Sequence, residues 1–498
     1  MRIPYFGFLK GENSNISTLI HPPDQPKILN GCTNTWKVGA LTKDPGYVIV
    51  GSQIQDNKSI TGMFNFIQDA STEKMLCTVD DATSDDTQLF YSTGGAWTEV
   101  TAAETQWANY AGIDVEMESM LGYCFIVGYG DTDGYLPVGT LNGTTFGYIG
   151  DGSEVNISDG SSTANVTMPK GKYVKRYRDR LYVANCKPAA TEESFRVYYS
   201  DVPTAGTIAW NRTTNFLDVD YSDQITGMEA NWDKLVIFTE KRTYMYDQSE
   251  WRKTWDYGCS NHRTIKNSGP YMIFANQDGV WISTSGRPKN IAGEIMDFIK
   301  AANMRNAFAE LVDEEYHLHL GTVTVDGITY TNCVKTLSIP LTAWRTREYT
   351  DTPTVFATYN DSGTEYLWFG TDDGQVMKKG KYTDATLLKS DNGVDFASNF
   401  ELAPTHFNDI GQIKRLNQII GYANKGLGLK LKARAVDSSH RKLTDYMTLG
   451  ELTEYINHFH VDMEDAVLLQ IAGGENGSNE YWEFLGYELD VDLYAQIE

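Results

Sequence analysis

Five times along the chain an apolar run meets a short polar turn and comes straight back as a second apolar run. The clearest are Leu235–Thr239 returning as Thr243–Tyr246, Tyr271–Ala275 returning as Val280–Ile282, and Tyr366–Gly370 returning as Gln375–Met377. Tyr316–Leu320 returns through Asp326-Gly327 to Ile328–Thr331, and Arg180–Ala184 returns as Phe195–Tyr199. Asp-Gly between two apolar runs is a strong hairpin signal, because both residues tolerate positive φ. From Leu235 to Met272, and from Leu318 to Leu367, the pattern recurs at about 40 to 50 residues, the period of four-stranded propeller blades.

The rest of the chain extends this reading. Ile60-Thr-Gly-Met63 and Ile225-Thr-Gly-Met228 form an internal repeat, and each is expected to open a blade. The first blade is read as Gly62–Ile67, Met75–Val79, Gln88–Ser92 and Trp97–Val100. Residues 1 to 55 read as an irregular arm and a first strand, since His21-Pro-Pro-Asp-Gln-Pro26 lacks the N–H groups a ladder needs. Between 128 and 160, glycine and aspartate suggest long loops between short strands. Glu294 to Val312 carries apolar residues at helical spacing and predicts an amphipathic helix, broken midway. Beyond about residue 393, Gln412–Ala423, Leu427–Ala435, His458–Ile471 and Trp482–Leu493 read as longer strands, and Thr448 with Glu451 as a capping box opening a short helix. The expected fold is all-β: a divergent β-propeller of about six to eight blades over 56–393, after an N-terminal arm over 1–55 and before a C-terminal β-rich domain over 394–498.

Charge narrows the function. Lys+Arg 42 against Asp+Glu 66 gives a net charge of −24, which disfavours a protein built to grip phosphates. The cysteines (Cys32, Cys77, Cys124, Cys186, Cys259, Cys333) are far apart and without a CxxC pair, as expected of reduced thiols in a chain assembled in the cytoplasm. The N-terminus shows no signal-like apolar stretch, and runs such as Tyr123–Val127 are strand-sized, so no stable membrane insertion is expected.

Several residues are candidates for chemistry. His317 with His319, and His458 with His460, place two imidazoles on one face of a strand, as a metal site would. Neither pair has an evident third ligand, and structural histidines are expected. Asp131, Asp133, Asp218, Asp220 and Asp223 resemble fragments of calcium loops without the full ligand set. Lys170, Lys172, Lys175, Arg176, Arg178 and Arg180, interleaved with Tyr173 and Tyr177, could touch a nucleic-acid backbone; the alternative is a strand whose exposed face is basic and pairs with an acidic neighbouring subunit. Asn276-Gln-Asp-Gly-Val-Trp281 approaches a sialidase-type box, with its glycine out of place. No nucleophile elbow, phosphate loop or zinc-protease helix is found. No catalytic, cofactor-binding or metal residue is assigned, no cofactor is expected, and the chain is read as non-enzymatic.

Four passages together resemble a known family. Val38 to Tyr47 closes the arm with a glycine, a basic residue and Pro-Gly-Tyr; Asp179–Ala184 leads to Arg196–Asp201; Ile225–Met228 precedes Asp233–Phe238; and Gly258-Cys-Ser, Gly279-Val-Trp and Ile291–Ile295 follow in order. Over about residues 30 to 390 the chain is similar to the β-propeller proteins of short-tailed bacteriophage tails, described as tail nozzles or head-completion proteins. The resemblance implies a virion tail protein forming a ring, typically a hexamer, below portal and adaptor rings, docking tail fibres and contacting passing DNA transiently. The alternative is a carbohydrate-binding or glycan-cleaving propeller, such as a receptor-binding tail protein, which needs aromatic platforms and convergent carboxylates. A monomeric cellular scaffold is a third reading.

Overall fold

The computed structural model describes residues 2–148 and 168–496, except 9, 16–21, 23–24, 35–36, 38, 85, 189–190, 205–207, 362, 383–389, 406–411, 426–427, 438–443 and 476–480. Among these residues seven antiparallel sheets of four principal strands form the blades of a β-propeller. Blades 1 to 5 use consecutive strands: Ile60–Glu99, Asp114–Tyr148, Lys170–Asp218, Ile225–Trp255 and Lys266–Asn290. Blade 6 is Phe308–Glu348. Blade 7 takes three strands from Pro353–Lys379 and its outer strand, Tyr47–Ile49, from the arm, with Met377 opposite Ile49. That borrowed strand ties the start of the chain to its last blade.

All five hairpins lie where the pattern put them, as the second and third strands of blades 3 to 7. In blade 6, Asp326 (φ 51°) and Gly327 (φ 79°) both turn with positive φ. The internal repeat opens blades 1 and 4, and both copies carry a register shift at the same step, Ile60/Gly62 and Ile225/Gly227. A Cβ on Gly62 would sit 2.9 Å from Val115 Cβ, and one on Gly227 would sit 2.7 Å from Ile265 Cδ1. The glycine therefore lets the first strand press against its neighbour.

The arm is woven in rather than loose. Arg2–Phe6 pairs with Gly486–Asp490, and Ile28–Asn30 lies between blade 6 (Asn30 opposite Thr346) and Ser398–Glu401. The blade 6 sheet thereby continues into the C-terminal sheet, whose long strands are Gln412–Lys425, Ile456–Glu475 and Glu483–Gln496. Phe8, Leu29, Cys32 and Leu41 of the arm sit in the C-terminal core with Leu416, Ile419, Trp482 and Phe484.

Two helix expectations are corrected. In Glu294–Val312 only Gly293–Ile295 and Met296–Ala301 are helical, while Phe308–Val312 is the first strand of blade 6. The helical spacing runs out after Ile299, and Phe298 and Ile299 cap the blade 6 core. Met447–Glu451 is a strand paired with Lys430–Asp437, and Glu451 accepts the Gly428 N–H instead of closing a capping box. In the glycine-rich stretch, Gly139–Asn142 and Thr145–Tyr148 are short strands of blade 2, and Gly150–Ser153 lies outside the described residues.

Candidate functional site

The first strands of the blades surround the propeller axis, each giving a side chain to a cavity of about 350 Å³: Asn65, Glu116, Lys175, Glu229, Lys266, Glu310 and Thr358. These charges meet each other. Lys175 Nζ lies 3.3 Å from Glu118 and 2.9 Å from Glu229, joining blades 2, 3 and 4. Burial works against the ammonium, but the two carboxylates hold its pKa above the ordinary lysine value. Lys266 reaches Glu310 at 2.9 Å, between blades 5 and 6.

Arg263 crosses the axis. It leaves a short 3-10 turn, His262–Thr264, between blades 4 and 5, where the Asn261 side chain accepts the Arg263 N–H. Its guanidinium donates to the Thr61 carbonyl of blade 1 at 2.6 Å and the Val115 carbonyl of blade 2 at 3.2 Å, and pairs with Glu116 and Asp114. Burial pushes the Glu116 carboxyl up, but His262 and Arg263 beside it bring it down to about 2. His262 accepts the Met228 N–H and packs on Tyr173, with ring centroids 5.0 Å apart. The axis is thus braced, not hollow.

Beyond this brace a funnel of about 530 Å³ opens, lined by Asp114, Tyr129, Asp131, Lys172, Asp223, Glu240 and Arg305 among others. Lys172 Nζ sits 3.3 Å from the Tyr129 ring centroid, a cation–π contact.

A second group of charges lies buried where arm, blades 6 and 7 and the C-terminal sheet meet. Asp44 of the arm faces Lys379 at 3.3 Å and Arg345 at 3.6 Å and accepts the Tyr382 hydroxyl at 2.9 Å. Burial favours the neutral acid there, but the surrounding cations hold the Asp44 pKa well below the usual range. Arg345 forks onto Glu315 at 2.8 and 2.6 Å. Glu12 meets Lys335 at 3.0 Å, and Lys43 meets Glu475 at 3.3 Å, every side chain of these two pairs at most 2% exposed. A cavity of about 460 Å³ borders the group, lined by Val312, Leu341, Tyr366 and Lys381 among others.

The residues singled out in the sequence are dispersed. His317 is buried in blade 6 with Nδ1 3.1 Å from Thr336 Oγ1, and burial lowers its pKa to about 3. His319 packs against Phe308, ring centroids 4.5 Å apart, and burial lowers it to about 3 also. His458 and His460 are exposed on the strand Ile456–Glu475. Asp131 lies on the funnel, Asp133 accepts the Ala111 N–H, Asp218 takes the fork of Arg196, and Asp220 and Asp223 share Arg242. Within the basic run of blade 3, Arg178 pairs with Asp233, Arg180 donates to the Ser200 carbonyl and Lys175 pairs at the axis, while Arg176 is exposed. All six cysteines are free and buried, and burial pushes the Cys333 thiol up to about 12. Among the described residues no helix is long and apolar enough to cross a membrane.

The sequence did not disclose Arg263 or the arm's buried charges. One signal was available: Tyr47–Val50 is an apolar strand with no return strand beside it, as a closing strand would be. Asp81, Asp86 and Glu104 also converge in blade 1, their carboxylate oxygens within 4.8 Å of one another.

Comparison with protein-family models and with curated proteins finds no match. Among solved structures, the chain is similar to the WD40 domain of Neurospora crassa Pan2, with TM-score 0.40, 8% identity, and 68% of this chain and 96% of that one covered. It is also similar to the AfRom2 CNH domain, with TM-score 0.39, 7% identity, and 67% and 98% covered. The extracellular domain of the B. thetaiotaomicron one-component system BT4673 matches with TM-score 0.37 and 11% identity, over 68% of this chain and 40% of that one.

Proposed function

We propose that this chain is a non-enzymatic subunit of an oligomeric ring, a tail nozzle or head-to-tail stopper, that extends and closes a DNA channel below a portal and adaptor and lets DNA pass at ejection. The observation that carries the reading is where the four resembling passages fall. They fall on the arm up to Tyr47, where it enters the closing strand of blade 7, on the second and third strands of blade 3, on the first two strands of blade 4, and on the path from blade 4 through blade 5 to blade 6. After the arm, the resemblance follows four successive blades, from blade 3 to the entry of blade 6.

The axis supplies a physical argument for assembly. A cavity of about 350 Å³ crossed by Arg263 leaves no path for DNA through one propeller. A conduit would run between copies, and several copies each carrying −24 would present a wall that repels phosphates and lets DNA slide. Native mass spectrometry of the purified chain, with and without adaptor rings from short-tailed phage particles, tests this. A ring near six copies, or assembly only on adaptor rings, is the expected result.

The funnel favours a second reading. Tyr129 and Tyr173 stand with Asp114, Asp131, Asp223 and Glu240 around one concavity, the combination a carbohydrate site uses. A persistent monomer that ignores adaptor rings and binds or cleaves glycans would replace the first reading with this one.

A further inference from the structure

The C-terminal sheet ends in a four-stranded patch ordered Ile456–Val461, Gln418–Tyr422, Gly486–Asp490 and Arg2–Phe6. Among the described residues each outer strand is paired on one side alone. One row crosses the patch: Ile456 opposite Tyr422, Tyr422 opposite Gly486, Gly486 opposite Phe6. Phe6 is 54% exposed and Ile456 44%, and the Phe6 ring lies across Gly486 to reach Tyr422 at 5.2 Å between centroids. An apolar row thus runs out to solvent at both edges, where solitary proteins place charges or cover.

We propose that these two edges join head to tail, the Arg2–Phe6 edge of one copy adding to the Ile456–Val461 edge of the next. The proposal rests on the ring reading above and names the contact. Strand direction favours it. All pairs in the patch are antiparallel and there are four strands, so a second copy added by rotation meets the first antiparallel as well. Charge favours it too. The Arg2–Phe6 strand carries Arg2 and no carboxylate, whereas the strand running on from Ile456 carries Asp462 and Glu464, two carboxylates 70% and 63% exposed that share the single Arg415, and neither lysine nor arginine. With Phe6 opposite Ile456 of the next copy, Pro4 faces His458, Arg2 faces His460, and Asp462 lies on the diagonal within reach of Arg2. Pro4 removes one donor from its edge, which guards a lone copy against indiscriminate pairing. A head-to-tail contact repeated by rotation closes a ring, and edge pairing is an established way to add one chain to another.

The test uses the full chain. Phe6→Asp and Ile456→Asp change exposed side chains, so each variant is expected to melt like the wild type and to lose self-association by native mass spectrometry. Mixed together they are expected to form a dimer and no ring, because the pair retains one sound edge contact. A Pro4→Cys/His458→Cys double variant is expected to give a ladder of disulfide-linked oligomers on mild oxidation, since the native thiols are buried. Wild-type rings accompanied by equal rings from both aspartate variants overturn the edge contact and leave the nozzle reading standing. So does a Pro4→Cys single variant that cross-links to a dimer while the double variant gives no ladder, the mark of a two-fold contact. A wild type that stays monomeric with and without adaptor rings overturns both.

Discussion

Blades 1 to 5 and the assembly of blades 6 and 7 with the C-terminal sheet are made of the same kind of strand in opposite ways. In the first region each blade closes on strands consecutive in sequence, and neighbours are held by apolar packing and by ion pairs around the axis. In the second, the outer strand of blade 7, the bridge from blade 6 to the C-terminal sheet and an edge of that sheet all come from residues 2 to 49. The charges follow suit: Glu12, Lys43 and Asp44 of the arm neutralise Lys335, Glu475, and Lys379 with Arg345. The lesson is that the propeller's stability is local around most of the ring and long-range where it closes.

The largest effect expected is from removing residues 1 to 50. This opens blade 7 and removes the buried counter-charges that Lys335, Glu475 and Lys379 meet in the arm, so the chain is expected to lose its cooperative unfolding transition and aggregate, as read by circular dichroism and size exclusion. Lys335→Met is milder. It strands Glu12 in the junction and removes the ammonium 3.2 Å from the Phe298 ring centroid, with an expected loss of about 3–5 kcal/mol in urea unfolding. Glu12→Leu in the same chain should restore most of that loss. In the local region, Gly227→Ala drives a Cβ against Ile265 and the His262 backbone and is expected to cost about 1–3 kcal/mol.

The legibility of the sequence divides along the same line. Hairpins in blades 3 to 7 were readable because each records a local event, two apolar runs and a turn. The repeat at Ile60 and Ile225 was readable because a bulge and a close approach both demand glycine at that step. The pairing of Tyr47–Ile49 with Val376–Lys379 was not, since partners so far apart leave no periodic trace. For the same reason Arg263 passed unnoticed in the turn after Gly258-Cys-Ser, although its partners span blades 1 and 2. The Pro-rich segment argued for an irregular arm, but prolines at 22, 23 and 26 say nothing of the residues on either side, which supply strands. At Thr448 a local capping signal was outweighed by sheet pairing.

Acid separates the two regions more gently. His317 sits among Glu315, Lys379, Arg345 and Asp44, and burial holds it neutral to about pH 3. Below pH 6.5 the unfolded chain takes up a proton that folded His317 does not, so stability falls as pH drops from 6.5 toward 3. Burial raises the Glu315 carboxyl, but Arg345 and its neighbours depress it to about 2, so its contribution is lost between its ordinary 4.5 and about 2. A His317→Gln/His319→Gln variant is expected to show a shallower fall between pH 6.5 and 3 in urea midpoints. The smallest effect is expected at the axis: Lys266→Met breaks a partly exposed pair with Glu310 and should cost about 1 kcal/mol or less.

The most direct test of the account is a cryo-EM reconstruction of the chain assembled on adaptor rings, read for where the open path lies. The account predicts a ring with one wide channel between copies and with every propeller axis filled at Arg263. A single chain with an open axis, or a monomer holding a glycan in the funnel beside Tyr129, would contradict it.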